Sequence, residues 1–419
     1  MRKRDSDHTL EDVLELSLER YVDFLVQLLQ IPNERMREHD SVRLVGRALE
    51  AQGCAVEFFE GEGLGEPTPV GRPLNCIAHR KGGGGGRSLL LEAHMDTVPS
   101  GKRQRWSDSP WSGTIREGRV YARGAHDDRV GAAMLWMVAD LLQQLEVTTA
   151  GDLHFLVTTE EEFSCGGMKS YLKQPKSVQP DGHLLIDGNK ANRCITGHPG
   201  VLNFKVCIEG PFGSAQGPAH EANPIELMGR LIESLGTLEQ QVRDLLEARH
   251  VDPRWPPANI VATEIQSAGW FSNVPEECVL HGYCSVPPPL TLEEYKRLFS
   301  QHLQAAAETI TWLRQHPPEL HWGPLELPAM ITNESTDFFR MLAQAHEQGF
   351  GTPLVSRWIG GWGDMVLLDC ANAIFYGPGG GGGDHGYDEN YELKDLSPML
   401  KSLVNFVLAW CGRSEVTRN

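Results

Sequence analysis

The spacing of apolar and polar residues predicts alternating helices and strands over most of the chain. Apolar residues recur every three or four positions over residues 10–30, until Pro32 ends the pattern, which is typical of an amphipathic helix. A strand is predicted at residues 55–59, and from about residue 132 strand and helix patterns alternate, as they do around a mainly parallel sheet. The helices expected on this basis cover residues 10–30, 41–52, 334–347 and 395–411.

The pattern changes near residue 200, where half-exposed strands and long helices replace the buried strands. The predicted strands cover residues 259–266, 277–286 and 319–322, and the predicted helices cover 223–249 and 291–312. Helices beside an antiparallel sheet indicate an α+β domain. We therefore predict an α/β domain formed by residues 1–200 and 326–419, with an α+β domain of residues 201–325 inserted into it.

A run of glycines at residues 82–86 separates two predicted strands. No Lys-Ser or Lys-Thr pair and no helix pattern follows it, so it does not match a phosphate-binding loop. We expect it to be the tip of a flexible hairpin.

Composition and charge narrow the possible partners. The 419 residues include 38 basic and 56 acidic side chains, a formal net charge of −18 with histidine counted as neutral. Such a charge argues against nucleic acid and anionic membranes as partners. Nine cysteines without paired spacing, a charged N-terminus and no long apolar run lead us to expect a cytoplasmic protein with free thiols and no membrane span.

Several predicted strands and turns end in a histidine or a carboxylate. These residues are His94 with Asp96, Asp127 after Gly124, the triplet Glu160, Glu161 and Glu162, Asp187, and His385 after five consecutive glycines. Each has a simpler local explanation, because acids at a helix start act as caps and an acidic triplet is often solvated. Open α/β sheets, however, bind ligands at the carboxyl ends of their strands. Imidazoles and carboxylates gathered at that edge indicate a metal site.

The same segments, in this order, resemble the dinuclear-zinc amidohydrolase and peptidase family of acetylornithine deacetylase, succinyl-diaminopimelate desuccinylase, aminoacylase and glutamate carboxypeptidase. The resemblance runs from about residue 15 to the C-terminus. It is carried by His94-Met-Asp-Thr-Val-Pro, Trp106 to Trp111, Gly118-Arg-Val-Tyr-Ala-Arg-Gly-Ala-His-Asp-Asp, Glu161-Glu162, Asn273-Val-Pro, and Gly377-Pro-Gly followed by His385 and Glu389. It implies that the α/β domain is catalytic and that the insert serves as a dimerisation and lid domain.

The resemblance also implies a role for each candidate ligand. His94 and Asp187 would bind one of two metal ions, zinc or else cobalt or manganese. Glu162 and His385 would bind the other ion, and Asp127 would bridge both. Two ions held in this way can share a hydroxide and polarise a scissile carbonyl.

Two acidic residues would complete the catalytic group. The resemblance implies that Glu161 is the general base and that Asp96 contacts the ligand His94 without binding metal itself. The register of the acidic triplet is set by the glycines at 166–167, which leaves Glu160 as the spare residue. If the register were shifted by one residue, Glu160 would take the place of Glu161.

The substrate-facing positions depart from the family pattern. Gln216 stands where the family commonly has a histidine that reaches the partner subunit, and His220 could replace it only if the loop were rearranged. Ser285 stands where the family usually has an arginine. Arg357 could pair with a substrate carboxylate and Trp362 could cover an apolar acyl group, although both could equally pack around a glycine turn.

Three classes of function remain open from the sequence. The first is hydrolysis of an amide bond in an N-acyl amino acid or a similar small amide, by a metal-bridging hydroxide and a glutamate base. The second is a metallo-exopeptidase, either a dipeptidase or a carboxypeptidase. The third, a non-catalytic binding protein, has no physical need for so crowded an acidic cluster. We expect a homodimer that acts on a small-molecule amide.

Overall fold

The computed structural model describes residues 9–33, 37–61, 71–188 and 190–414. These residues form two compact units. The larger unit contains the described residues up to Thr196, Thr332–Arg357, and those from Gly363 onward. The smaller unit contains Gly197–Ile331 and Trp358–Trp362. The chain therefore passes from the larger unit to the smaller unit twice and returns each time.

The described residues contain α-helices, short 3₁₀ helices and strands. The α-helices are α1 (Leu10–Leu29), α2 (His39–Ala51), α3 (Arg129–Gln144), α4 (Gly166–Leu172), α5 (Pro224–Ala248), α6 (Leu292–Glu308), α7 (Thr311–Gln315), α8 (Asp337–Phe350) and α9 (Leu396–Cys411). The 3₁₀ helices are Arg103–Arg105, Pro218–Ala222, Asp364–Leu367 and Leu393–Asp395. The strands are β1 (Ala55–Glu60), β2 (Leu74–Arg80), β3 (Leu89–His94), β4 (Thr114–Arg116), β5 (Arg119–Tyr121), β6 (Leu153–Thr158), β7 (Gly182–Leu185), β8 (Arg193–His198), β9 (Gly200–Glu209), β10 (Gly213–Ser214), β11 (Ile260–Gln266), β12 (Asn273–Val274), β13 (Glu277–Val286), β14 (Glu319–Leu327), β15 (Met330–Ile331), β16 (Val355–Trp358), β17 (Ala373–Phe375), β18 (Gly381–Gly382) and β19 (Asn390–Glu392).

A mixed sheet forms the centre of the larger unit. Within this unit its order is β1-β2-β6-β3-β7-β17-β8, with β16 paired to β8. The neighbouring strands β6, β3, β7 and β17 are parallel, whereas β1, β2 and β8 join the sheet in antiparallel pairs. The predicted α/β fold with a mainly parallel central sheet is therefore confirmed.

The sequence of β3 explains its central position. All six of its residues are buried, as is typical of a strand covered by helices on both faces. Helix α3 is buried along almost its whole length. It packs against β3 and also contacts α1, α2 and α9. The carboxyl ends of the parallel strands then lie at one edge of the sheet, where β3 ends at His94 and β7 ends two residues before Asp187.

The smaller unit has its own core. Strands β11, β13, β9 and β14 form an antiparallel sheet in that order, and its buried face packs with α5 and α6. Strand β11 is one of the two edge strands of this sheet, and six of its seven residues are exposed. The predicted helix over 291–312 is interrupted only near its end, because α6 ends at Glu308 and the short helix α7 begins at Thr311.

The predicted hairpin at residues 82–86 is also wrong. Strand β6 lies between β2 and β3, so the strands on either side of the glycines do not pair with each other. The glycine backbone instead lies against residues 149–151, where Gly83 N donates to Thr149 O at 2.8 Å and Gly84 N donates to Ala150 O at 2.8 Å. A Cβ atom on Gly86 would come within 2.3 Å of Gly151 N, so close backbone packing explains this glycine.

Two predictions from composition can be compared with the structure. All nine cysteines are free, and seven of them are buried. Among the described residues, no helix combines the length and the apolar character needed to cross a bilayer.

Candidate metal centre

His94 is held at the end of β3 by the residues that follow it. Its Nδ1 lies 3.1 Å from the backbone oxygen of Asp96, and it is almost fully buried. A carbonyl oxygen can only accept a hydrogen bond, so this contact favours the proton on Nδ1. The Nε2 atom then faces Asp127 Oδ1 at 3.0 Å and Asp187 Oδ1 at 3.7 Å.

The turn before α3 carries Asp127, and Glu389 holds that turn in place. The buried Glu389 carboxylate accepts hydrogen bonds from the backbone nitrogens of Gly124 at 2.9 Å, His126 at 2.9 Å and Asp127 at 3.1 Å. Arg123 Nη1 donates to the same carboxylate at 2.6 Å. A buried charge paired and hydrogen-bonded in this way fixes the backbone around it.

The Asp96 carboxylate orients the acidic triplet through backbone hydrogen bonds. The Asp96 carboxylate accepts from Glu161 N at 3.1 Å and from Glu162 N at 3.1 Å. Its Oδ1 lies 3.5 Å from His94 Nδ1, farther than the backbone oxygen of the same residue. Asp96 therefore supports the triplet more directly than it supports His94. Glu160 adopts a left-handed backbone conformation with φ of 64°, which turns the chain at this point.

His385 comes from the loop that contains the five glycines. Its own φ of 57° is in the left-handed region, which residues with side chains seldom adopt. Its Nε2 lies 3.0 Å from Glu162 Oε2 and 3.2 Å from Asp127 Oδ2.

The five predicted ligands thus form two groups that share Asp127. One group contains His94, Asp127 and Asp187, and the other contains Asp127, Glu162 and His385, with the potential ligand atoms of each group within 4.8 Å of one another. The groups differ in exposure, because the side chain of His94 is 1% exposed and that of His385 is 51% exposed.

The electrostatics of the cluster favour positive charge between the carboxylates. Hydrogen bonds to Asp127 and Glu162 raise the pKa of His385 to about 11. Burial alone would lower the pKa of His94, but the carboxylates of Asp187 and Asp127 raise it well above its usual value. Burial raises the pKa of Glu161 well above its usual range.

The donor set fits two divalent metal ions. The buried Oε1 atom of Glu162 has no hydrogen-bond partner among the described residues. Buried carboxylate oxygens are costly to leave unpaired, and a cation would satisfy them. Imidazole and carboxylate ligands suit zinc, and they also suit cobalt and manganese.

The structure describes each residue predicted to contact substrate within its own unit. Gln216 and His220 are exposed in the smaller unit, where His220 Nδ1 lies 2.7 Å from Gly217 O. Trp362 packs on Tyr283 in the same unit, with ring centroids 5.7 Å apart. Arg357 is exposed in the larger unit. Their roles stay predictions.

Sequence reasoning missed the residues that support the cluster. Glu389 marked the resemblance but was given no role. Glu92 and His183, on neighbouring strands, form a fully buried contact of 2.7 Å between Oε2 and Nε2. Burial raises the pKa of Glu92 to about 8. A carboxyl inside the buried strand that leads to His94 was the available signal, since such a group needs a buried partner.

Comparisons with known proteins find a matching family and similar relatives. Residues 90–409 match the profile of peptidase family M20/M25/M40. The chain is 25% identical over 351 residues, 78% of its length and 79% of the relative's, to an N-formyl-4-amino-5-aminomethyl-2-methylpyrimidine deformylase of Halalkalibacterium halodurans. It is 27% identical over 301 residues, 69% of its length and 73% of the relative's, to an acetylornithine deacetylase of Proteus mirabilis.

Solved structures share the fold at lower identity. The di-peptidase Dug1p of Saccharomyces cerevisiae has a TM-score of 0.80 at 16% identity, covering 97% of this chain and 99% of that one. The Bacillus subtilis YXEP protein, a dinuclear metal binding peptidase, has a TM-score of 0.63 at 16% identity, covering 94% of this chain and 98% of that one.

Proposed function

Because the chain belongs to peptidase family M20/M25/M40 and is a metal-dependent hydrolase, we propose that it removes a small acyl group from an amine by hydrolysing an amide bond. The observation that carries this proposal is the pair of ligand groups that share Asp127, beside a buried glutamate with an unpaired oxygen. The named relatives in sequence, a deformylase and a deacetylase, favour acyl transfer to water over peptide cleavage.

We propose that His94, Asp127 and Asp187 hold one metal ion and that Asp127, Glu162 and His385 hold the other, with zinc, cobalt or manganese as candidates. When bound, such ions supply Lewis-acid polarisation of the amide carbonyl and of the attacking water. Glu161 accepts a proton from that water at its unpaired Oε1 and returns it to the leaving nitrogen. Asp96 keeps Glu161 in place through the backbone hydrogen bond.

A substrate panel tests this function. We would measure kcat/KM with saturating zinc or cobalt for N-formyl and N-acetyl amines and amino acids and for dipeptides. The proposal expects the best acyl amide to exceed the best dipeptide by at least about tenfold, which is about 1.4 kcal/mol of transition-state binding. The reverse order would make the protein an exopeptidase, the alternative that the same metal groups serve equally well.

We also propose that the smaller unit forms a homodimer through the edge strand β11. An unprotected edge offers unpaired backbone groups to another strand, and cyclic dimers are the commonest assemblies. Val261 and Ile265 on this strand are 47% and 52% exposed. An apolar edge of this kind is typical of a surface that another strand covers.

A charge placed on this edge is expected to separate the dimer. The wild-type protein should have the mass of two chains by light scattering, and Ile265→Lys should shift it toward one chain with little change in thermal stability. The matched control is Ile115→Lys in the larger unit, where Ile115 is 47% exposed. A wild-type monomer with full activity would contradict the proposal.

The dimer would give Gln216 a role in the partner's site. Its side-chain amide has no hydrogen-bond partner among the described residues, whereas the ring of His220 is bound locally to Gly217. We expect Gln216→Ala to lower kcat by up to roughly 10²–10³-fold, the usual effect of losing one oxyanion donor, with unchanged metal content. His220→Ala should have little effect, and the opposite pattern would assign the donor to His220.

A further inference from the structure

His126 lies between two segments of the proposed metal centre, and the proposed chemistry does not use it. It directly precedes Asp127 in the turn before α3, and it is 4% exposed. Its Nε2 lies 2.9 Å from the backbone oxygen of Gly379, and its Nδ1 lies 2.7 Å from Asp384 Oδ1. Both ring nitrogens therefore contact the loop that ends in His385.

The glycine-rich loop of residues 377–384 is shaped to lie on this ring. A Cβ atom on Gly381 would come within 2.2 Å of His126 Cδ2, so only glycine allows the backbone to approach the imidazole this closely. Gly379 and Gly383 have φ of 104° and 81°, conformations in which other residues are strained. The sequence of the loop thus permits this conformation without enforcing it.

A run of glycines has many accessible conformations, so contacts from outside the loop must select one of them. The loop backbone also pairs with β19 through Gly381 and Gly382, and Gly380 N donates to Asp395 Oδ2 at 2.8 Å. That contact lies on the side of α9, whereas His126 is attached to the turn that carries Asp127. Among these contacts, those of the His126 imidazole join the loop that leads to His385 to the turn that carries Asp127.

We propose that His126 is a positioning residue, which docks the glycine-rich loop on the Asp127 turn and so brings His385 opposite Glu162. The expected effect on metal binding rests on the proposed ligand assignment. The docking of the loop on His126 does not depend on that assignment. Removing a residue that contacts and orients a metal ligand typically lowers metal affinity by about 10–100-fold. The group that contains His385 should be affected, and the group that contains His94 and Asp187 should not.

The first test measures the loop in the metal-free protein. We expect His126→Ala to increase amide hydrogen exchange in residues 377–386 by at least about tenfold, because loop opening no longer breaks the two ring contacts. Exchange in β3 and α3 should stay at the wild-type rate. This readout does not depend on activity or on metal, so it still decides the docking if the proposed metal assignment fails.

The second test measures zinc binding. In a competition titration, His126→Ala should weaken one of two ions by about 10–100-fold and leave the other unchanged. The weakened ion should be the one that is lost in His385→Ala. An equal weakening of both ions, with unchanged loop exchange, would mean that His126 only supports the fold, and would overturn the proposal.

Two side-chain replacements separate the ring contacts. The amide nitrogen of glutamine can take the place of Nε2, and that of asparagine can take the place of Nδ1. His126→Gln should recover part of the loop protection through Gly379 O, and His126→Asn should recover part of it through Asp384. A lack of recovery in both variants would contradict a role based on these two bonds.

A variant on the loop side covers the case in which His126→Ala does not fold. The side chain of Asp384 is 44% exposed, so Asp384→Ala removes the contact to Nδ1 without opening the buried turn. Asp384→Ala should increase amide hydrogen exchange in the loop and weaken binding of the ion held by His385. Both changes should be smaller than in His126→Ala. Wild-type exchange and wild-type zinc affinity in this variant would overturn the proposal.

Discussion

Glu161→Gln is expected to lower kcat by roughly 10²–10⁴-fold while the protein keeps its fold and both metal ions, because this range is typical for the loss of a general base. Glutamine has nearly the same shape as glutamate but cannot take a proton from water. The contact that positions this residue joins its backbone nitrogen to Asp96, and the substitution preserves it. Steady-state kinetics with metal analysis on the same sample would check both parts of the expectation.

The neighbouring glutamate provides the matched control. Glu160 is also buried, but its left-handed backbone places it at the turn of the triplet. Glu160→Gln should therefore stay within a few-fold of the wild-type rate. A dead Glu160→Gln beside an active Glu161→Gln would shift the register of the triplet by one residue, and two active variants would contradict the proposed mechanism.

The strand ends of the larger unit were predictable because their pattern is local. A buried apolar run followed by a histidine or an acid marks the carboxyl end of β3 and of β7. Parallel pairing then brings those ends to the same edge of the sheet, a consequence of βα alternation and not of any particular contact. This is why His94 and Asp187 could be expected near each other from the sequence.

Features that depend on distant contacts were not predictable in the same way. The hairpin expected at residues 82–86 failed because β6 enters the sheet between two strands that are neighbours in sequence. His126 and Glu389 look ordinary in their own segments, although 263 positions in sequence separate these residues that hydrogen-bond each other. Local patterns identify which residues carry ligand atoms, and only the assembled loops show what holds those atoms in place.

The difference in exposure between the two ligand groups gives them different expected behaviour. His94 and Asp187 are buried, whereas half of the His385 side chain is open to solvent at the end of a glycine-rich loop. Ligand exchange is easier where solvent reaches the site, so the ion held by His385 should be the one a chelator removes first. Removal of His385 should accordingly affect only one ion.

Asp127→Ala is expected to abolish turnover and to disturb both ions, because Asp127 contributes one oxygen to each ligand group. Its Oδ1 lies 3.0 Å from His94 Nε2, and its Oδ2 lies 3.2 Å from His385 Nε2. At a zinc concentration that saturates the wild type with two ions per chain, His385→Ala should retain about one ion and Asp127→Ala fewer than one. Asp337→Ala, which removes an exposed aspartate at the start of α8, is the control for charge and should retain two. Mass spectrometry under non-denaturing conditions counts the ions directly. Two ions in Asp127→Ala would refute the shared carboxylate, since the remaining ligands would then hold each metal separately. At most one ion in the wild type would refute the proposal of two metal ions.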